Sequence, residues 1–390
     1  MTASRREFLI SGAILASSAC TTSAVGGLPA IVPRLERLDL ERLRTLVEQA
    51  VSSLNTPGIS LAIWKNGREL YSCYAGLANL ETATYVTDAS VFRIGSLTKQ
   101  FAGALILKLA AAEKLSLADP AHKHLPFLAR HEHFTILELL NHTAGVRDGN
   151  YDIPNDSQIE QAQHIAQQDP FFDFRPGTAW LYSNANYILI GAIIEKATEK
   201  SLADAASMLL FESLDLHHTA FDVPSDVVFG RVSGYTPTGK TDKPFQNAEY
   251  LDVSLAGAAG AMRSTASDLC RWHHALFRGN ALPRALARMM TQSARLRNGQ
   301  LSSSNRFSEN DKPMENTQYG LGLMLDKATL DGSLIAHHHG GINGFASYLA
   351  SHPSSDLTYA CLCNVDTHPG LPFRDIRRTI FADLLRNDEA

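Results

Sequence analysis

Apolar residues at Leu35, Leu38, Leu43, Leu46, Val47, Ala50 and Leu54 recur every three or four positions, which predicts an amphipathic helix near the start of the chain. The period then shortens. Ile59-Ser60-Leu61-Ala62-Ile63-Trp64 and Glu69-Leu70-Tyr71-Ser72-Cys73-Tyr74 read as strands on either side of Asn66-Gly67, a dipeptide that readily takes the positive φ angles of a two-residue hairpin turn. A helical pattern returns over residues 97–112, and helices with long loops are expected up to about Met262. Late in the chain, β-rich runs reappear at 319–325, 333–338, 346–350 and 357–364, and a helix over 373–385 closes the pattern. The polar stretch 295–315 reads as a loop.

This order implies an α/β (α+β) fold: an antiparallel sheet flanked by helices and assembled from both ends of the chain, with a mostly helical domain inserted. The expected division is 35–95 and 262–390 for the sheet domain and 96–261 for the helical one. The cleft between two such layers is a natural place for a small molecule or peptide substrate.

Composition narrows the partners more than the fold. With 390 residues, 45% hydrophobic, 19% charged and a net charge of −5, the chain reads as an ordinary globular protein without a basic run, so no nucleic acid or anionic membrane surface is expected as a partner. Residues 1–24 differ. Arg5-Arg6 precede a short apolar stretch that ends in Ser17-Ser18-Ala19-Cys20, the layout of a signal peptide. The stretch is about half the roughly 18 residues a spanning helix needs, so no transmembrane helix is expected in the mature protein. The paired arginines resemble a twin-arginine export signal, which implies a periplasmic or secreted protein. Cys20 is either a lipidated first residue, hence a lipid anchor, or part of a leader that is simply removed. Of the other cysteines, Cys73, Cys270, Cys361 and Cys363, none is expected to be bridged; Cys361 and Cys363 share one strand face as small hydrophobes.

The strongest chemical signal is Ser96-Leu97-Thr98-Lys99. Serine and lysine three apart at a helix start lie on one face within reach of each other. A serine hydroxyl is a poor nucleophile without an adjacent base, and lysine serves as one when burial leaves its amine neutral. The backbone N–H of Ser96 would sit at the helix N-terminus, where developing negative charge is favoured. Taken alone, the pattern also fits an N-cap serine beside a solvated lysine. Two further elements weigh against that. Tyr182-Ser183-Asn184 offers a phenol to relay a proton and an amide to hold substrate, and His337-His338-His339-Gly340-Gly341 offers glycines beside a strand that admit a close ligand.

In this order the three elements resemble the serine β-lactamase and penicillin-binding protein superfamily, marked by Ser-x-x-Lys, Tyr-x-Asn and a Lys-Thr-Gly variant. The stretches Leu139-Leu140-Asn141-His142-Thr143-Ala144-Gly145 and Gly257 to Asp268 are similar to those of the class C β-lactamase, DD-peptidase, D-aminopeptidase and family VIII esterase branch. The resemblance implies a β-lactamase/transpeptidase-like fold, Ser96 as nucleophile, and general base and acid roles divided between Lys99 and Tyr182. It further implies Asn184, His338, Gly340 and Gly341 as substrate-binding residues, with an oxyanion hole from the backbone N–H groups of Ser96 and Gly341. His338 and His339 replace the lysine and threonine of the third motif, so the permanent cation that clasps a β-lactam carboxylate is missing; an ordinary histidine is charged only near or below about pH 6.5. That favours a D-peptidase or esterase over an efficient β-lactamase. A sensor that is acylated with little turnover is the alternative.

Two other readings are set aside. Gly234-Tyr235-Thr236-Pro237-Thr238-Gly239-Lys240-Thr241 matches a phosphate-loop pattern, but Pro237 and Pro244 oppose the helix that loop requires. His131-Glu132-His133 lacks the spacing of a helical zinc site, and His337 and His339 point away from His338 in a strand. His217-His218 and His273-His274 read as surface or capping pairs. No metal and no cofactor are expected.

Overall fold

Asn66 and Gly67 take φ values of 52° and 73°, so the strands Gly58–Lys65 and Arg68–Asn79 fold back on each other as the expected hairpin. In the computed structural model, which describes residues 38–149, 157–309, 317–382 and 384 and the backbone of 19–21, this hairpin joins the late strands in one antiparallel sheet. From one edge the order is Ala19–Thr21, Arg68–Asn79, Gly58–Lys65, Leu357–Cys363, Phe345–His352, Leu334–Ile342, Met324–Lys327 and Gln318–Tyr319. The first and last parts of the chain therefore meet in the middle of the sheet, where Leu357–Cys363 pairs with Gly58–Lys65.

Alternation along the strands assigns each face its cover. Ile59, Leu61 and Ile63 pack with Leu43, Val47, Ile376 and Phe381, beneath the terminal helices Leu40–Ser52 and Phe373–Ile380. Ala62 and Trp64, from the same strand, face the other way into a core shared with Leu269, Leu276, Phe101 and Leu105. Two helices of that second layer, Thr98–Ala111 and Asn184–Thr198, are buried almost all round. A helix with no solvent face has no polar stripe, and these two carry Lys99 and Asn184, with Ser96 and Tyr182 just before their first turns.

The run 319–325 is not one strand. Gln318–Tyr319 and Met324–Lys327 form an antiparallel pair, because Gly322 takes φ 78° and turns the chain. A Cβ on Gly322 would stand 2.6 Å from the Lys99 carbonyl oxygen, so the break seats the turn against the serine helix. At 234–241, Tyr235–Pro237 pairs with Phe245–Asn247 as a small hairpin, and no helix starts at Lys240.

The cysteine expectation needs one correction. Cys73 is disulfide-bonded, whereas Cys270, Cys361 and Cys363 are free and buried. Strand pairing sets the backbone of Cys20 opposite Cys73, a neighbourhood that spacing along the chain does not reveal. Apart from the backbone of 19–21, the leader 1–24 lies outside the described residues, as does any lipid anchor on Cys20. No helix among the described residues is long and apolar enough to cross a membrane.

Candidate active site

Ser96 sits in a single 3-10 turn, Gly95–Leu97, that leads into the helix Thr98–Ala111. The turn is fastened by backbone packing. Gly95 has φ +51°, and a Cβ there would lie 2.7 Å from the carbonyl oxygen and 2.9 Å from the nitrogen of Gly341; one on Gly340 would meet the Ile94 carbonyl oxygen at 2.1 Å. Only glycines permit this approach of strand to turn. Ser347 Oγ donates to the Ile94 carbonyl at 2.8 Å, and Thr98 Oγ1 donates to the Gly95 carbonyl at 2.7 Å.

Lys99 is fully buried. Its Nζ stands 3.1 Å from Ser96 Oγ, 2.8 Å from Asn184 Oδ1 and 2.7 Å from the Ala259 carbonyl oxygen. Burial lowers its pKa to about 7, and Asp148 pulls in the opposite direction. The valence of the neutral amine then matters. Two N–H bonds match the two acceptors that have no proton to offer, Asn184 Oδ1 and the Ala259 carbonyl, which leaves the lone pair for the Ser96 hydroxyl proton. The backbone stretch Gly257–Gly260, one of those matching the family branch, thus supplies part of the lysine's socket.

Tyr182 lies over this pair, its ring centroid 4.8 Å from Lys99 Nζ. Its hydroxyl is buried and faces Ser96 without a well-aligned hydrogen bond. Burial holds the phenol well above its ordinary pKa, so near neutrality it keeps its proton. The Tyr182 ring rests on His142 at 4.5 Å. His142 is itself fully buried, and its Nδ1 accepts from Ser183 N at 3.3 Å and from Asn186 Nδ2 at 3.2 Å, so its proton belongs on Nε2. These bonds give a physical reason for the Asn141-His142-Thr143 stretch.

Asn184 opens the helix Asn184–Thr198, and Asp148 anchors that helix start. Asp148 Oδ1 accepts from Ala185 N at 2.9 Å, and Oδ2 accepts from Asn184 Nδ2 at 3.2 Å. Holding Nδ2 outward turns Oδ1 toward Lys99. Sequence reasoning left Asp148 unnamed in the loop 147–156; its only signal was its place just after the Leu139 to Gly145 stretch. The rest of that loop, 150–156, lies outside the described residues.

On the opposite wall, His338 is fully buried, not presented to the cleft as a cation. Its Nδ1 bonds the His339 carbonyl oxygen at 2.6 Å and must carry the proton there, so Nε2 accepts from the Tyr319 hydroxyl at 3.2 Å. Burial and the neighbouring His339 push its pKa well below the ordinary histidine value. His339 is exposed, while His337 points to the other side and meets Asp326 at 2.9 Å. Ser96, Lys99, Tyr182 and Asn184 are thus brought together, and Gly340 and Gly341 abut the serine turn. His338 stands behind them, 6.1 Å from Tyr182 between ring centroids.

Among the described residues no three His, Cys, Asp or Glu side chains gather as a metal site. His217 and His218 are exposed. His273, expected as a surface or capping residue, is instead fully buried between Ser351 Oγ at 2.6 Å and Gln100 Oε1 at 2.7 Å, because the buried face of the helix Ala266–Arg278 includes it.

The chain is similar to several known proteins. A β-lactamase of Pseudomonas fluorescens is 28% identical over 228 residues, 58% of this chain and 61% of that protein. Protein flp of Staphylococcus aureus (strain NCTC 8325 / PS 47) is 25% identical over 346 residues, 86% of this chain and 65% of its own length. The chain thus aligns with less than two thirds of either relative. Among solved structures, a D-stereospecific amidohydrolase from Streptomyces sp. superposes with a TM-score of 0.71 at 27% identity, covering 88% of this chain and 99% of that one. The profile of the beta-lactamase family matches residues 43–383, and with that span, which holds the Ser96–Lys99 pair, Tyr182, Asn184 and the glycine strand, the chain belongs to the beta-lactamase family.

Proposed function

We propose that this protein is an acyl-serine hydrolase of amide or ester bonds, with Ser96 as nucleophile, Lys99 as general base and Tyr182 as proton donor to the leaving group. The observation that carries this reading is the buried lysine: its amine titrates near neutrality, and its one lone pair is left for Ser96 Oγ. Lys99 Nζ takes the Ser96 proton as Oγ bonds the carbonyl carbon, and the carbonyl electron pair moves onto oxygen. The backbone N–H groups of Ser96 and Gly341 receive that oxyanion. As the tetrahedral centre collapses, the leaving nitrogen or oxygen takes the Tyr182 proton, and Lys99 returns a proton to the phenol. Water then cleaves the acyl-serine ester by the reverse proton path. Asn184 orients the acyl portion through its amide.

Two features favour D-amino-acid amides, D-peptides or short esters over β-lactams. His338, which stands in place of the motif lysine, is buried with its pKa held well below the ordinary histidine value, and the Streptomyces relative is titled a D-stereospecific amidohydrolase. The N-terminal pattern supports export, with a periplasmic or secreted destination.

A panel of p-nitrophenyl esters, D-alanyl amides and peptides, and a chromogenic β-lactam tests the reading on wild type and Ser96→Ala. Turnover should fall by about 10³-fold or more in the variant on every substrate cleaved. Full activity in Ser96→Ala overturns it, as does a permanent mass adduct on wild type without multiple turnover.

A further inference from the structure

Asp148 enters the site on a fastened stretch of chain. Arg147 N donates to the Phe171 carbonyl oxygen and Asp173 N to that of Gly145, each at 2.9 Å, while the Arg147 guanidinium meets the Asp173 carboxylate at 2.7 Å. Gly145 has φ +74°, and a Cβ there would stand 2.2 Å from the Phe174 carbonyl oxygen, an approach that requires glycine. This stretch brings a carboxylate to the first turn of the helix Asn184–Thr198. Asp148 Oδ2 accepts from Asn184 Nδ2 at 3.2 Å and Oδ1 from Ala185 N at 2.9 Å.

The amide of Asn184 has an acceptor end and a donor end, and the two would treat Lys99 differently. Its Oδ1 stands 2.8 Å from Lys99 Nζ and takes one N–H of the amine. Turned over, Nδ2 would point an N–H at that nitrogen and claim the lone pair that Ser96 needs. An ionised carboxylate only accepts, so a turned Asn184 would set its oxygen against Asp148 Oδ2 with no proton between them. Asp148 also supplies charge. Lys99 faces the rings of Tyr182 and Tyr187 at 4.8 and 5.5 Å, and His142, His338 and His339 lie close enough to feel its charge. Burial keeps both phenols protonated and lowers the pKa of the three imidazoles, so none of the five carries charge near neutrality. Asp148 is left as the ion acting on the amine, and it opposes the effect of burial.

We propose that Asp148 is a positioning residue of this site: it locks the Asn184 amide with its oxygen toward Lys99 and so keeps the lysine lone pair aimed at Ser96. The consequence for turnover rests on the hydrolase reading above. The consequence for the amine does not. With the negative charge removed and the amide free to turn its N–H toward Nζ, Lys99 should hold its proton less tightly and titrate at lower pH.

Asp148→Asn and Asp148→Glu test this on the whole chain. Asp148 is exposed, so the isosteric asparagine should leave the protein folded, but it offers one acceptor where two donors must be met. On whichever p-nitrophenyl ester wild type cleaves, kcat/KM on the pH plateau should fall about tenfold or more, and the acid limb should move to lower pH. Asp148→Glu keeps both acceptors and the charge; its limb should stay at the wild-type position and part of the rate should return. A loss of rate in Asp148→Asn with the limb unmoved, or equal rates in all three proteins, overturns the proposal. The second readout needs no substrate. NMR titration of isotope-labelled lysines, with Lys99→Met to assign the Lys99 signal, should find Lys99 titrating at lower pH in Asp148→Asn than in wild type, and coincident curves overturn the proposal. If no substrate is turned over, the hydrolase reading fails while the titration still decides the role of Asp148.

Discussion

The two walls beside Ser96 each bury a nitrogen base, yet they leave those bases in opposite conditions. Lys99 meets two carbonyl-type acceptors and one hydroxyl, so loss of its proton creates a lone pair aimed at the nucleophile. His338 gives its proton to the His339 carbonyl and accepts from Tyr319, so neither nitrogen is left for proton transfer. Burial depresses the pKa of both. The difference teaches that desolvation alone does not make a general base; what counts is which neighbours remain when the proton has gone.

The most severe way to break this comparison is Lys99→Met. Losing the base should lower kcat/KM by about 10³-fold. The same variant tests the protonation state through stability. In the folded protein Lys99 titrates near 7 instead of its ordinary 10.5, so between those values the unfolded chain binds more protons and wild-type stability rises with pH. Below about pH 7 the full penalty of burying the amine is present. Lys99→Met should therefore be more stable than wild type at pH 6, and the gap should shrink toward pH 10, as read from urea midpoints. A gap that ignores pH would mean that the amine is not neutral in the fold.

Tyr182→Phe should act next, lowering kcat/KM by about 10²-fold through loss of the donor. The deleted hydroxyl is buried without an aligned partner, so no stability should be lost. A large drop in melting temperature with intact kcat would reverse the roles given to the ring and the hydroxyl. The smallest kinetic effect belongs to His338→Gln. Below about pH 7 activity should decline as Lys99 gains its proton, and that limb should stay in place in the variant. Loss of the paired bonds to His339 and Tyr319 should cost about 1 kcal/mol of stability. A limb that moves with this substitution would return a titrating role to His338.

Much of the architecture was legible because it follows from short-range pattern. Asn66-Gly67 specifies a hairpin by backbone preference alone, and the β-rich runs 346–350 and 357–364 anticipate strands observed as Phe345–His352 and Leu357–Cys363. The run 319–325 misled because its apolar residues mask a Gly-Leu-Gly turn. Within the site, Ser96 and Lys99 were legible from helical spacing, since one turn brings them together whatever surrounds them. Asp148 was not, because its contacts with Asn184 and Ala185 span 36 and 37 residues. His273 was misplaced for the same reason: its partners lie 78 and 173 residues away.

By itself, then, the sequence determined the local geometry: which stretches are helix or strand, and that a hydroxyl and an amine share one helical turn. Tertiary structure decided their chemistry. A pKa depends on solvent exclusion and on neighbours brought from Ala259, Asn184 and Asp148, and neither quantity is a property of positions close along the chain.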